Sequence, residues 1–251
     1  MNNAAGSVPA LHARERLIVA LDVPSAARAM AFVDSLENVI QWFKIGLELY
    51  LSAGNSIVEQ VRARGHSVFL DLKLHDIPNT VAGAVRSAAG TGAGMLTLHA
   101  AGGPAMLAAA REAADALPSP PKLLAVTVLT SMDPAQLAAT GLPASPREQV
   151  ARLAAMAYGA GIRGFVASAE EATMLRAAHA DATLVIPGIR PAGAAVGDQK
   201  RIATPADAVA SGADYLVVGR PITQAADPQA AAQAILDEIA SATAPVSSYP
   251  A

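Results

Sequence analysis

The stretch SVFLDLKLHDIPNTVAGAVRSAAGTGAGMLTLHA, residues 67–100, carries the pattern that decides the fold. It joins two short apolar runs, SVFLDLK (67–73) and MLTLHA (95–100), through an Ala-rich segment of helical length. Apolar residues that are continuous rather than strictly alternating mark strands buried on both faces, as in a parallel sheet covered by helices. The same unit recurs outward in both directions. LIVALD (17–22) and IQWFKIG (40–46) precede it, and LLAVTVLT (123–130), GFVAS (164–168), TLVIPG (183–188) and YLVVG (215–219) follow. Between the runs lie helical patterns such as residues 24–33, where Ser25 is placed to cap. Eight such units in 251 residues are the expected size of a closed barrel. An open doubly wound sheet is the alternative, but no Gly-x-Gly-x-x-Gly follows the first run and no mid-chain linker divides the chain. The prediction is an α/β protein, a single-domain (β/α)8 TIM barrel over residues 17–241, with a flexible leader over 1–16 and a tail over 242–251.

Composition narrows the function. With 18 Lys plus Arg against 21 Asp plus Glu, the net charge is −3, and 53% of residues are hydrophobic. A slightly acidic chain without a basic block argues against binding to nucleic acid or to a membrane surface. The absence of Cys excludes disulfides, thiolate metal sites and a Cys nucleophile. The five His, at 12, 66, 75, 99 and 179, lack the close spacing of a zinc site, so no protein-held metal is expected. Residues 87–110 contain no charge and are long enough to span a bilayer, but their Gly and Pro content reads instead as helix end, buried strand and new helix. The first 16 residues lack the greasy core of a signal peptide, which predicts a cytoplasmic protein.

Polar residues collect where the apolar runs end. Asp22 closes the first, Lys44 the second, Asp71 and Lys73 the third, His99 the fourth and Thr130 the fifth, while Gly219-Arg220 follows the eighth. Strand ends meet water and tolerate polar groups, but several charges converging on the C-terminal rim of a barrel fall where such barrels do their chemistry. By strand alternation Asp71 and Lys73 point together into the mouth, and Asp76 lies past the strand in the loop. Trp42 shares the parity of Lys44 and is expected at the mouth, whereas Phe43 packs outward. His75 is expected to pack outside the mouth, and a structural role is expected for His99. Alternating Asp and Lys in a water-poor site cost desolvation without matching stability, so the cluster reads as a site that handles charge. Arg220, after a Gly at the last strand, is suited to grip phosphate bidentately. The stretch Pro187–Arg201, with Gly188, Gly193 and Gly197 beside Arg190, Gln199, Lys200 and Arg201, reads as a lid whose polar groups close on an anion.

The motifs LIVALDVPS (17–25), KIGLELY (44–50), DLKLHDIPNT (71–80), VTVLTSMDP (126–134), PGIRPAG (187–193) and DYLVVGRPIT (214–223) together resemble the orotidine 5′-monophosphate decarboxylase family over most of the chain. The resemblance implies cofactor-independent decarboxylation of a pyrimidine nucleotide in UMP biosynthesis. It implies that Lys44, Asp71, Lys73 and Asp76 form an alternating charge array, with Asp76 donated by a second subunit of a homodimer. It further implies that Asp22 and Lys44, with Asp76 and Thr80 of the partner, hold the ribose. Thr130 and Pro187 would meet the pyrimidine, and Gln199, Arg220 and the Gly219 backbone the phosphate. Lys73 is then the group that stabilises and protonates the ring carbanion. Two rivals stand beside this reading: a magnesium-dependent sugar-phosphate decarboxylase or aldolase on the same barrel, and a silent nucleotide-binding barrel.

Overall fold

The computed structural model describes residues 11–142, 145–192 and 201–243. Eight parallel strands close into a barrel in chain order: β1 (Leu17–Ala20), β2 (Trp42–Gly46), β3 (Ser67–Leu74), β4 (Met95–His99), β5 (Lys122–Val126), β6 (Gly164–Val166), β7 (Thr183–Ile186) and β8 (Tyr215–Val218), with β1 pairing to both β2 and β8. The continuous apolar runs divide by parity between two cores. In β1, Leu17 and Val19 join the large core between strands and helices, while Ile18 and Ala20 face the barrel interior. Phe43 goes outward to the helices, as its parity requires. A fully buried side chain of this size contributes about 1.5–3 kcal/mol, so both faces of each strand add to stability, and the pairing of β1 with β8 closes the sheet.

The charge-free stretch 87–110 resolves into the end of helix Pro78–Gly90, strand β4 and the start of helix Gly103–Asp115. Among the described residues no helix is long and apolar enough to cross a membrane. Ser25 caps the helix Ala26–Ser35, its hydroxyl accepting from the Arg28 amide at 3.4 Å.

Four expectations need correction. Residues from Leu11 onward are not a frayed leader: Leu11 packs against the barrel floor, and Arg16, in the one-turn helix Ala13–Arg16, donates to the carbonyls of Ala213 and Asp214 at 2.6 and 3.2 Å. The fifth strand does not reach Thr130. β5 ends at Val126, because β6 offers it only three residues, and Thr127 makes the last main-chain bond, to Val166 O at 3.2 Å. Trp42 sits not at the mouth but on the floor, edge-on to Tyr215 at 5.9 Å, since it opens β2 two residues below Lys44. At the other end of the chain, helix Pro228–Thr243 buries Ala232, Ile235, Leu236 and Ile239, carrying the folded unit two residues beyond 241.

Candidate active site

The barrel opens at its C-terminal rim into a cavity of about 630 Å³, within the range that binds a small molecule. Its lining includes Asp22, Lys44, Asp71, Lys73, Thr130, Pro187, Arg190, Gly219 and Arg220, which brings nine of the twelve expected residues to one place. Lys44 Nζ lies 2.8 Å from Asp22 Oδ1 and 3.4 Å from Asp71 Oδ2, and Lys73 Nζ lies 2.8 Å from that same Asp71 oxygen. The charges thus run Asp22, Lys44, Asp71, Lys73 across the ends of three adjacent strands.

The local backbone explains how one strand presents both Asp71 and Lys73. β3 leaves register with β4 between Leu70 and Leu74: Leu70 pairs with Leu96 and Leu74 with Leu98, so four residues of β3 span two of β4. Within this bulge Lys73 takes φ 52°, a left-handed conformation that a long side chain adopts only at a cost. Thr97 holds it there. Its hydroxyl accepts from the Lys73 amide at 2.8 Å and donates to Asp71 Oδ1 at 3.0 Å. Simple strand alternation therefore gives the right direction for Asp71 and Lys73 for an incomplete reason. Gly46, where a Cβ would stand 3.0 Å from Lys44 Nζ and 3.1 Å from Asp22 Oδ1, leaves the room that this ion pair occupies.

Burial opposes the charge on both Lys44 and Asp71, yet each keeps it. Asp71 and Asp22 together outweigh desolvation and raise the Lys44 pKa above its ordinary value. The two lysines, with hydrogen bonds from Lys73 and Thr97, outweigh desolvation of Asp71 and hold its pKa below the usual carboxylate value. The array is a self-compensating set of fixed charges. Burial lowers the pKa of His99, with His75 and Lys73 pushing the same way against Asp71. His75 is exposed and faces His99 at 5.4 Å between ring centroids, and neither lines the cavity. Asp22 and Asp71, the two carboxylates of the mouth, are each already paired with an ammonium. Among the described residues no three His, Cys, Asp or Glu side chains gather as a metal site.

Arg190 and Arg220 reach the same cavity from the segments that follow the neighbouring strands β7 and β8. Arg190 is buried, its amide donating to Ala203 O at 2.9 Å and its guanidinium to Ile189 O at 2.8 Å, whereas Arg220 is exposed and opens the short helix Arg220–Thr223 directly after Gly219. Two expected residues stand elsewhere. Asp76 and Thr80 are exposed and outside the cavity; Asp76 accepts from the Ile77 amide at 2.6 Å and borders a separate shallow groove with His75, Ile77 and Pro78. Gln199, and residues 193–200 of the expected lid, lie outside the described residues. Sequence reasoning passed over Thr97 and Gly46. A lone Thr in the apolar run MLTLHA is the one signal that would have flagged Thr97.

Residues 15–235 match a family model described as the Orotidine 5'-phosphate decarboxylase / HUMPS family. A relative from Pseudomonas aeruginosa, named orotidine 5'-phosphate decarboxylase, is 53% identical over 224 residues, covering 89% of this chain and 97% of the relative. One of the same name from Halorhodospira halophila is 55% identical over 228 residues, covering 90% and 97%. Among solved structures, the orotidine 5'-phosphate decarboxylase of Lactobacillus acidophilus superposes with a TM-score of 0.79 at 37% identity, covering 90% of this chain and 99% of that one. That of Pyrococcus horikoshii gives 0.73 at 28% identity, covering 89% and 98%.

Proposed function

Since the chain belongs to the Orotidine 5'-phosphate decarboxylase / HUMPS family, we propose that it converts orotidine 5′-monophosphate to uridine 5′-monophosphate and CO2, without a cofactor, in pyrimidine biosynthesis. The observation that carries this reading is the run of alternating charges Asp22, Lys44, Asp71 and Lys73 in one cavity with Arg220. Breaking the bond between the ring and its carboxylate leaves the electron pair on a ring carbon that has no adjacent carbonyl to accept it. The Lys73 ammonium, fixed by Asp71, stabilises that pair electrostatically and then delivers a proton to the same carbon, regaining one from water afterwards. Asp71 stays ionised because two lysines face it, so it anchors Lys73 without taking its proton. Asp22 and Lys44 hold the ribose hydroxyls, Thr130 and Pro187 meet the pyrimidine, and Arg220, Arg190, Gln199 and the Gly219 amide take the phosphate. Phosphate binding far from the reacting carbon supplies energy for excluding water.

Completion of the site requires a second subunit in this reading. Asp76 and Thr80 turn outward from their own cavity, beside an Ile77 that is 67% exposed. A two-fold dimer that covers Ile77 and inserts Asp76 beside the partner's charge array would supply the second carboxylate and a further ribose contact. The reading is thus of a cytoplasmic homodimer with shared sites.

The test is purified protein with orotidine 5′-monophosphate, following loss of the orotate chromophore with and without EDTA. Turnover unaffected by chelation is expected. Turnover abolished by EDTA would favour a magnesium-dependent enzyme, and no turnover at all would favour a silent nucleotide binder.

A further inference from the structure

Behind the cavity wall lies an ion pair that the proposed chemistry does not use. Arg201 and Glu171 are both buried, 8% and 2% exposed at the side chain, and their charged groups are in direct contact. Glu171 also accepts from the Ser168 amide at 3.1 Å and from the Ser168 hydroxyl, a capping box at the start of helix Ala169–Ala178. Arg201 Nη1 reaches Ser168 Oγ at 3.4 Å. Its Nη2 donates to two carbonyls, Val128 O at 3.3 Å and Leu129 O at 3.1 Å. Its Nε is buried without a partner among the described residues.

Such an arrangement is a poor way to gain stability. Two buried charges and an unsatisfied donor are commonly matched or bettered by apolar side chains of equal volume. Its distinctive property is geometric, because a guanidinium offers several donors in one rigid plane and ties groups that a flexible ammonium cannot. The carbonyls it holds belong to the segment that has just lost its sheet partners. β5 ends at Val126, and beyond Thr127 the chain turns, with the Met132 amide donating to Leu129 O at 2.9 Å. Thr130 and Ser131 are the two central residues of that turn, and both line the cavity. Arg201 itself does not line it.

We propose that Arg201 is a positioning residue. Locked by Glu171 and Ser168 at the end of β6, it fixes the carbonyls of Val128 and Leu129 and thereby the turn that sets Thr130 against the pyrimidine. This inference rests on the functional reading above, since it takes Thr130 as a substrate contact. Two residues further on, the Ala203 carbonyl receives the Arg190 amide, so one buried guanidinium lies among the ends of β5, β6 and β7.

The test is a double-mutant cycle on the intact protein, with kcat and KM for orotidine 5′-monophosphate, Kd for uridine 5′-monophosphate, and the thermal midpoint of every variant. Arg201→Met is expected to lower kcat/KM by up to roughly 100-fold, the scale on which a small misplacement acts, and Arg201→Lys by less. The combination of Arg201→Met with Thr130→Ala should fall within about twofold of Thr130→Ala alone, since residues acting through one contact are not additive. Multiplying losses would overturn the proposal, as would wild-type kcat and KM in a variant whose thermal midpoint alone has dropped. Should Arg201→Met fail to fold, the cycle with Arg201→Lys decides by the same criterion. A wild type that binds the product nucleotide but does not decarboxylate would sink the functional reading instead, and the cycle is then read in Kd.

Discussion

The two halves of DLKLHDIPNT, residues 71–80, meet opposite fates within a few residues of each other. Asp71 is buried at the centre of the charge array, and Lys73 beside it is pinned by a bulge and by Thr97. Asp76 and Thr80 stand on the outer surface with an uncovered Ile77. The first half is explained by its own chain: every charge has a partner, and the strained Lys73 backbone is held by a side chain from the next strand. The second half is not. Among the described residues Asp76 accepts only from the adjacent Ile77 amide, and Ile77 and Thr80 stay in the open. In the proposed reading the cavity of one chain is part of a site, and the surface loop of a two-fold partner supplies the rest.

The contrast is tested most severely by Lys73→Ala. Removing the fixed ammonium should cost turnover by roughly 10⁴-fold or more, combining lost acid catalysis with lost charge stabilisation. Product binding through the phosphate contacts should survive, and a variant with near wild-type turnover would remove Lys73 from the chemistry. Asp76→Ala comes next, and it separates the two halves more sharply. A surface substitution of this kind ordinarily changes stability by no more than about 0.5 kcal/mol. We expect that small effect on the thermal midpoint together with a loss of kcat/KM of roughly 10²-fold or more. Unchanged activity would return Asp76 to the surface as a solvated loop residue.

Thr97→Val should act more gently. It removes the hydroxyl that joins Asp71 to the Lys73 amide, at a cost of about 1–3 kcal/mol in stability for the buried groups left unpaired. The loss in kcat should exceed that in binding, because Lys73 loses its support while the phosphate contacts remain. Equal losses in all three quantities would reduce Thr97 to a packing residue. The smallest effect is in pH dependence. Asp71 is held below its ordinary pKa, so its contribution to stability is complete above the unfolded value of about 3.9 and is lost as pH falls through the folded value. Lys44 is raised, so its contribution is complete below about 10.4 and is lost as pH rises through its folded value. Thermal midpoints of Asp71→Asn and wild type should therefore run parallel between about pH 5 and 9, with the wild type falling more steeply in acid. Parallel curves down to pH 2 would show that Asp71 titrates as it does in the unfolded chain.

Much of this was legible in the sequence, for physical reasons that also set the limits. Doubly buried strands print continuous apolar runs, so all eight were readable and their count implied closure. Charges at the ends of those runs had to converge once the barrel closed, which put Asp22, Lys44, Asp71 and Lys73 together without coordinates. Regular alternation breaks down at particular positions. The bulge after Leu70 is invisible in the letters, and the fifth apolar run extends four residues past the end of β5 because residues 127–130 continue it after the sheet partner has ended. Trp42 had the right parity but the wrong height, since parity fixes a face and not a depth. Arg201, at the end of a glycine-rich segment, reads in the sequence as one of the lid groups that close on an anion, whereas it is buried and does not line the cavity. Only the fold brings it to Glu171, thirty positions earlier.

The central claim, that Lys73 of one chain works with Asp76 of another, is tested most directly by complementation. Asp76→Ala and Lys73→Ala, each inactive alone, are mixed under conditions where subunit exchange is shown independently. A mixed dimer carries one site with both lesions and one with neither. With random exchange half the dimers are mixed and half of their sites intact, so roughly a quarter of wild-type activity should return. Demonstrated exchange with no return of activity would contradict the shared site and require Asp76 to act, if at all, within its own chain.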